Sequence, residues 1–328
     1  MENSATGISV LIPTYNRAQV LRETLDALTR VDLCGIDCQI VIIDNNSSDN
    51  TAEVVESYLD RLPLALLRET RPGKNCALNK GLREAALKEI VVFTDDDVTP
   101  AKNWFQEIVA STIKWPDISV FGGKIDILWP DNKQPEWAAA DWIRIFGFSW
   151  HHYAETETLY KPPACPFGPN YWVRKLVFKT VPFFDETLGP SPKNRIMGDE
   201  TAFLLELQKH GFKTLYYPYA HVQHRIHPKE CRIPALRHRG YTFGRGQIRL
   251  HGLHRYNLYA KCKTLWSLTC AADYAYASLR FLVGYALPNP RQNCEMTVNS
   301  MIRFGQLRET RNRVLERSAS TRGNGTAG

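Results

Sequence analysis

Three consecutive carboxylates, Asp95, Asp96 and Asp97, stand directly after an apolar run at residues 89–94 (EIVVFT). Three adjacent negative charges repel each other and require a compensating charge. On an extended chain alternate side chains point the same way, so Asp95 and Asp97 are able to converge. Two convergent carboxylates suit Mg2+ or Mn2+, which take oxygen ligands and leave their remaining positions to water and phosphate. A cation there would neutralise a diphosphate leaving group as its bond breaks. The plainer alternative is a capped helix start, since Asp is common at strand-to-helix turns. The triplet alone does not choose between the two.

Two further polar clusters end apolar runs. Thr14-Tyr15-Asn16 follows residues 8–12 (ISVLI) and Pro13, and Asp44-Asn45-Asn46 follows residues 39–43 (QIVII). Short, continuous, β-branched runs of this kind read as strands buried on both faces. Helical spacing of apolar residues follows each one, at 20–28, around Val54, Val55 and Leu59, and at 77–87, and residues 64–67 supply another short strand. Strand and helix thus alternate four times in under a hundred residues, the pattern of an α/β, doubly wound, mostly parallel sheet. Ligands of such sheets sit at the carboxyl ends of the strands, which brings the three polar clusters to one edge.

After residue 121 the texture changes. Trp129, Trp137, Trp142, Trp150, His151, His152 and Tyr153 crowd a Pro-rich segment with weak periodicity. Core packing accounts for most of these rings, although sugar rings also stack on aromatic faces. Helical character returns at 201–210, a strand candidate spans 215–219, and from 233 onward the pattern is helical and basic. Residues 264–287 are largely apolar but carry Asp273 and Arg280, which speaks against a simple transmembrane span. A helix lying on a membrane beside the basic stretch, or a helical appendage packed on the enzyme core, both fit this region. The tail after Arg317 has a disordered composition.

The 328 residues are 44% hydrophobic and 23% charged, with a net charge of +7. These values fit a folded protein with a sizeable core and exclude large-scale disorder. The eight cysteines show no zinc-site or redox spacing. The polar start MENSATG has no leader-like layout, so reduced thiols and a cytoplasmic location, with the cytoplasmic face of a membrane as an option, are expected.

The chain resembles the family-2 glycosyltransferases, inverting enzymes of GT-A fold. The resemblance rests on six segments in order: SVLIPTYNR (9–17), VIIDNNSSDNT (41–51), GKNCALNKGL (73–82), VVFTDDDV (91–98), GPNYWVRK (168–175) and GDETAFLLELQKHGFKTLYYPYAHVQH (198–224). It implies that Pro13, Thr14, Tyr15 and Asp44 hold the nucleoside, that Lys74 and Asn79 line the nucleotide or diphosphate, and that Asp95 faces the ribose or metal. It implies further that Asp97 binds Mg2+ or Mn2+, with His224 as an additional ligand and His221 the other histidine at that point. Asp199 is the implied general base, with Glu200 the alternative because the acidic pair stands in the reverse of the family's usual order. Gly168 and Asn170 are implied near the transferred sugar or acceptor, where Pro169 departs from the family's Gly-Ala-Asn, and Trp137 is the candidate platform for a sugar ring. Lys193, Asn194 and Arg195 suggest a loop closing over the donor.

The expected organisation is a donor-binding half at residues 1–120, an acceptor and catalytic half at 121–230, a helical extension at 231–316 and a tail at 317–328. The expected partners are a nucleotide-sugar donor, UDP-linked by preference, and a glycan or lipid-linked acceptor, with a possible peripheral membrane contact and no nucleic acid. A sugar nucleotidyltransferase is the first rival, but its glycine-rich basic loop after the first strand is absent. An inactive glycan-binding module is the second, and a nicotinamide-dependent reductase a weaker third, lacking a glycine-rich turn.

Overall fold

A computed structural model describes residues 7–191, 195–251 and 263–323. They divide into two compact units. The first comprises Met1–Asn132, Arg144–Asn194 and Asp199–Ile226. Its frame is a sheet that begins with four parallel strands in the order β3 (Leu64–Arg68), β2 (Cys38–Asp44), β1 (Ile8–Thr14), β4 (Ile90–Phe93). These are the four strands expected from sequence, and the apolar runs of β1, β2 and β4 are buried because helices cover both faces, whereas β3, at the edge, is half-exposed. Helix α1 (Ala18–Leu28) turns Leu21, Leu25 and Leu28 inward on one stripe, and α2 (Thr51–Glu56) does the same with Val54 and Val55. Helix α3 (Lys74–Glu84) packs Ala77 and Leu78 into the core of the other face.

The sheet continues through elements the sequence outlined only in part, α6 and the start of β9 among them. A short β5 (Val98–Pro100) leaves the aspartate triplet, and α4 (Trp104–Lys114) follows it. Strand β6 (Val120–Leu128) is longer than its apolar start suggests. Helix α5 (Asp141–Phe148) and the two-residue β7 (Thr158–Leu159) follow. Strand β8 (Tyr171–Arg174) inserts antiparallel between β4 and β6. Helix α6 (Asp199–Lys209) leads into β9 (Thr214–Arg225), which runs parallel to β6 and antiparallel to β5 and β7. The result is the mixed α/β architecture, with a parallel first half, that the repeating pattern implied.

The second unit comprises Lys133–Ile143, Arg195–Gly198 and His227–Gly328. Its main helices are α7 (Ile233–His251), α8 (Lys263–Ala286) and α9 (Pro290–Gly323). Helices α7 and α9 cross at backbone contact: a Cβ on Gly244 would lie 2.0 Å from the Ile302 carbonyl oxygen, and one on Gly305 2.0 Å from that of Tyr241. Beside this crossing the buried Glu309 accepts from Arg245 and Arg249. Helix α9 extends through residues 317–323, part of the segment whose composition reads as a disordered tail; residues 324–328 lie outside the described residues. No helix among the described residues is long and apolar enough to cross a membrane.

Candidate active site

The three polar clusters do meet at one edge of the sheet. Thr14 and Asp44 are register partners at the ends of β1 and β2, and β4 ends beside them. The loops are also laced to each other. Asp49, after β2, accepts from the backbone N–H of Ala18 at the start of α1. Asn16, in the left-handed region with φ 50°, accepts from the Ser48 N–H and donates its own N–H to Ser47. Asn45 accepts from the Gly73 N–H and donates to the carbonyls of Glu69 and Arg71, tying β2 to the start of α3.

The aspartate triplet divides its work. Asp96 turns inward, where the Thr14 hydroxyl donates to it at 2.7 Å and Arg17 Nη1 at 2.7 Å, while the Thr24 hydroxyl holds its backbone carbonyl. Burial pushes its carboxyl up to about 7 against the pull of Arg17, with Asp97 adding to the rise. Asp97 is buried as well. Arg17 Nη2 donates to its Oδ2 at 2.9 Å, and His224 Nε2 stands 3.3 Å from its Oδ1. Burial opposes the charge of Asp97, but His224 and Arg17 outweigh it and hold the carboxyl below its usual range. Arg17 therefore supplies the compensating charge that the triplet requires, spanning two carboxylates with one guanidinium.

The pair Asp97 and His224 has the chemistry of a cation site. His224 Nδ1 lies 2.8 Å from the Phe148 carbonyl oxygen, which can only accept, so Nδ1 carries the hydrogen and Nε2 is aimed at Asp97. Asp97 Oδ1 is buried, and its one neighbour of opposite charge among the described contacts is His224 Nε2, 3.3 Å away. A ring nitrogen and a carboxylate oxygen facing each other at this distance share a positive charge, a proton or a metal ion. Among the described residues no three His, Cys, Asp or Glu side chains gather so as to hold a metal by themselves. The residues fit a cation that takes its other ligands from water and phosphate, as Mg2+ and Mn2+ do. Asp95, expected to join Asp97 on the metal, pairs instead with Lys74 Nζ at 2.6 Å.

Lys74 also feels Asp199 and Glu200, and together with Asp95 these outweigh burial and strengthen its hold on its proton. Asp199 opens α6 and is buried, with its side chain packed under Gly189. Burial first, then Glu200, raises Asp199 well above the ordinary carboxylate range, despite Lys74. Glu200 is less buried and lies toward Gly168. A Cβ built on Gly168 would stand 3.2 Å from Glu200 Oε1 and 3.6 Å from Asp95 Oδ2. The lack of a side chain at Gly168 therefore lets the Glu200 and Asp95 carboxylates approach the backbone there. Thr14 is buried, while Tyr15 is 41% exposed and positioned by the β1 loop.

Several residues expected at the site are placed elsewhere. Asn79 is buried, and its amide is consumed by the Phe184 N–H and carbonyl and by Glu186. It clasps the 184–186 loop and does not line a diphosphate. Asn170 is also fully buried: it donates to the carbonyls of Lys124 and Ala220 and accepts from Trp104 Nε1. No group remains on it to meet a sugar. Pro13 is a buried member of β1. Trp137 and Arg195 belong to the second unit, and Lys193 and Asn194 lie outside the described residues. Of the aromatic segment, His151 packs with Tyr160, Tyr216 and Phe167 as core, and burial lowers its ring to about 4.

Sequence reasoning missed Arg17, which lies in the first matching segment, and a cluster around Asp126. Asp126 Oδ1 is 2.5 Å from His152 Nε2 and its Oδ2 is 2.8 Å from His221 Nε2. His221, weighed with His224 at the sequence level, thus serves this pair. The His221 contact first, then burial working against it and His152 with it, bring Asp126 down to about 2. A depressed carboxyl adds stability above its unfolded value, and that stability is lost as pH falls through the folded one. Asp126→Asn should therefore flatten the pH dependence of unfolding between pH 4 and pH 2 by about 1 kcal/mol, discounted for partial exposure, as read by urea denaturation at several pH values.

Comparison with known proteins bears on the fold and the family. The chain aligns along most of its length with a mannosyltransferase from Pyrobaculum calidifontis solved with GDP-Man and Mn2+, at TM-score 0.58 and 19% identity, covering 94% of this chain and 88% of that one. The S. aureus TarS 1-349 structure with UDP-GlcNAc matches at TM-score 0.52 and 17% identity, covering 94% and 92%. These likenesses define the fold as GT-A. The family model for glycosyl transferase family 2 matches residues 9–175, half of the chain, and the protein belongs to that family. Among curated relatives, the glycosyltransferase AglE of Haloferax volcanii is 24% identical over 79% of this chain and 78% of its own length. Against a second curated glycosyltransferase the chain spans about half of that protein's length. The protein is a glycosyltransferase.

Proposed function

We propose that this glycosyltransferase moves a sugar from a nucleoside-diphosphate donor, UDP-linked by preference, to a hydroxyl of a glycan or lipid-linked acceptor, with inversion at the anomeric carbon. The observation that carries the reading is the buried Asp97 carboxylate, whose Oδ1 faces His224 Nε2 at 3.3 Å in the turn after β4. Asp97 and His224 would hold Mg2+ or Mn2+, which would offset the charge that develops on a departing diphosphate. Tyr15 offers its exposed ring to the base, and Asp44 lies at the neighbouring strand end for the nucleoside. Lys74 places a fixed positive charge beside Asp95.

Glu200, packed close against Gly168, takes the proton of the acceptor hydroxyl. The acceptor oxygen then attacks the anomeric carbon as the bond to the diphosphate oxygen breaks. Asp199 beneath it is the positioning residue, and its raised proton affinity supports one negative charge in the pair rather than two. This exchanges the roles favoured from sequence, on the ground that Asp199 is the more deeply buried of the two.

A thermal-shift screen tests the reading. A nucleoside diphosphate with Mn2+ should stabilise the protein by about 2.7 kcal/mol at a hundredfold excess over its dissociation constant, and neither component alone should match it. Donor turnover should release a nucleoside diphosphate. Release of pyrophosphate instead would return the nucleotidyltransferase reading.

A further inference from the structure

We infer that α8 is a docking face for an anionic lipid surface. From Ser267 to Ala286 this helix presents a continuous exposed apolar stripe. Leu268, Tyr276, Leu279, Leu282 and Val283 are 63%, 59%, 61%, 65% and 47% exposed, and Ala271, Ala272 and Ala275 between them are exposed as well, while Ala277 on the opposite side is buried. Positions 268, 272, 275, 279, 282 and 286 recur at three and four residues, so they share one side of the helix. The two charged side chains of this stretch stand off that side. Asp273 pairs with Arg303 of α9 at 2.6 Å, and Arg280 lies beside the Tyr276 ring. An exposed apolar stripe of this length on a soluble surface marks an interaction site.

Charge selects the occupant. Over residues 227–328, Lys and Arg outnumber Asp and Glu by 17 to 5. Two copies of so positive a unit repel each other, whereas an anionic headgroup layer attracts one. The rim fits the same occupant: Tyr274 and Tyr285 are 60% and 62% exposed at the borders of the stripe, and the Arg237 guanidinium sits 5.1 Å over the Tyr285 ring. Amphipathic tyrosines beside cations are the composition of a helix lying at the level of lipid headgroups. Because no described helix can span a bilayer, the contact is along the surface. The inference is independent of the donor chemistry, so vesicle binding reports on it whether or not sugar transfer is observed.

The test is flotation of the 328-residue chain with vesicles of phosphatidylcholine alone and of phosphatidylcholine mixed with phosphatidylglycerol. Binding should favour the mixed vesicles and weaken with added salt. The double variant L279E/L282E should bind them at least about tenfold more weakly, whereas Leu59→Glu, at a 52% exposed position of the first unit, should bind as the parent does. Should the glutamate variant melt early, L268S/V283S gives the same reading. Equal binding by the stripe variants and the parent overturns the proposal. So does a parent protein that ignores vesicles and forms a dimer, by sedimentation velocity, that the stripe variants dissolve.

Discussion

Glu200→Gln is expected to lower kcat for sugar transfer by ~10²–10⁴-fold, the usual worth of a positioned general base, with donor affinity and thermal midpoint close to those of the parent. The side chain keeps its size, so the close packing against Gly168 is kept while the proton acceptor is lost. Asp199→Asn should lower kcat less, because its carboxyl acts through Glu200. It should also displace the acid limb of the kcat/KM profile, since the Asp199 carboxyl contributes to the field in which Glu200 titrates. A purely structural Asp199 would change stability and leave that limb where it was. The opposite ranking, with Asp199→Asn inactive and Glu200→Gln active, would return the base to Asp199.

Asp97→Asn should abolish the joint stabilisation by Mn2+ and nucleoside diphosphate and reduce turnover by ~10²-fold or more. The amide preserves the outline of the carboxylate but removes the charge that Arg17 and His224 face. The sign of the stability change follows from the depressed carboxyl. Its contribution is present above the unfolded value of an aspartate and is lost as pH falls through the folded one. The variant should thus be less stable than the parent at neutral pH and approach it in acid. His224→Gln should weaken the metal-dependent shift in the same assay while sparing Arg17's contacts. Retention of the full shift in both variants would place the cation elsewhere.

Much of this was legible because the donor half is built from strands buried on both faces. Such strands read as unbroken apolar runs, so β1, β2 and β4 announced themselves, and the polar residues that end them fell on one edge. The four-residue β8 did not, because its place is set by pairing on both sides with β4 and β6, an arrangement with no local period. The two asparagines were misread for a related reason. Each looks like an exposed ligand in sequence, but their partners lie 105 residues away for Asn79 and 46 and 50 away for Asn170. Asp95 and Asp97 were expected to converge by alternation. The alternation holds in that Asp96 turns inward, but Lys74 draws Asp95 toward α3.

The bonds that join Asp49 to the start of α1, and Asn16 to Ser47 and Ser48, bear on how donor preference changes over time. Because each loop completes the hydrogen bonding of the other, the nucleoside end is a template finished at folding, with little ordering left for the ligand to impose. Exchange of one nucleobase for another then calls for coordinated substitutions on both sides of the seam. A single change there loosens the mould before it reshapes it.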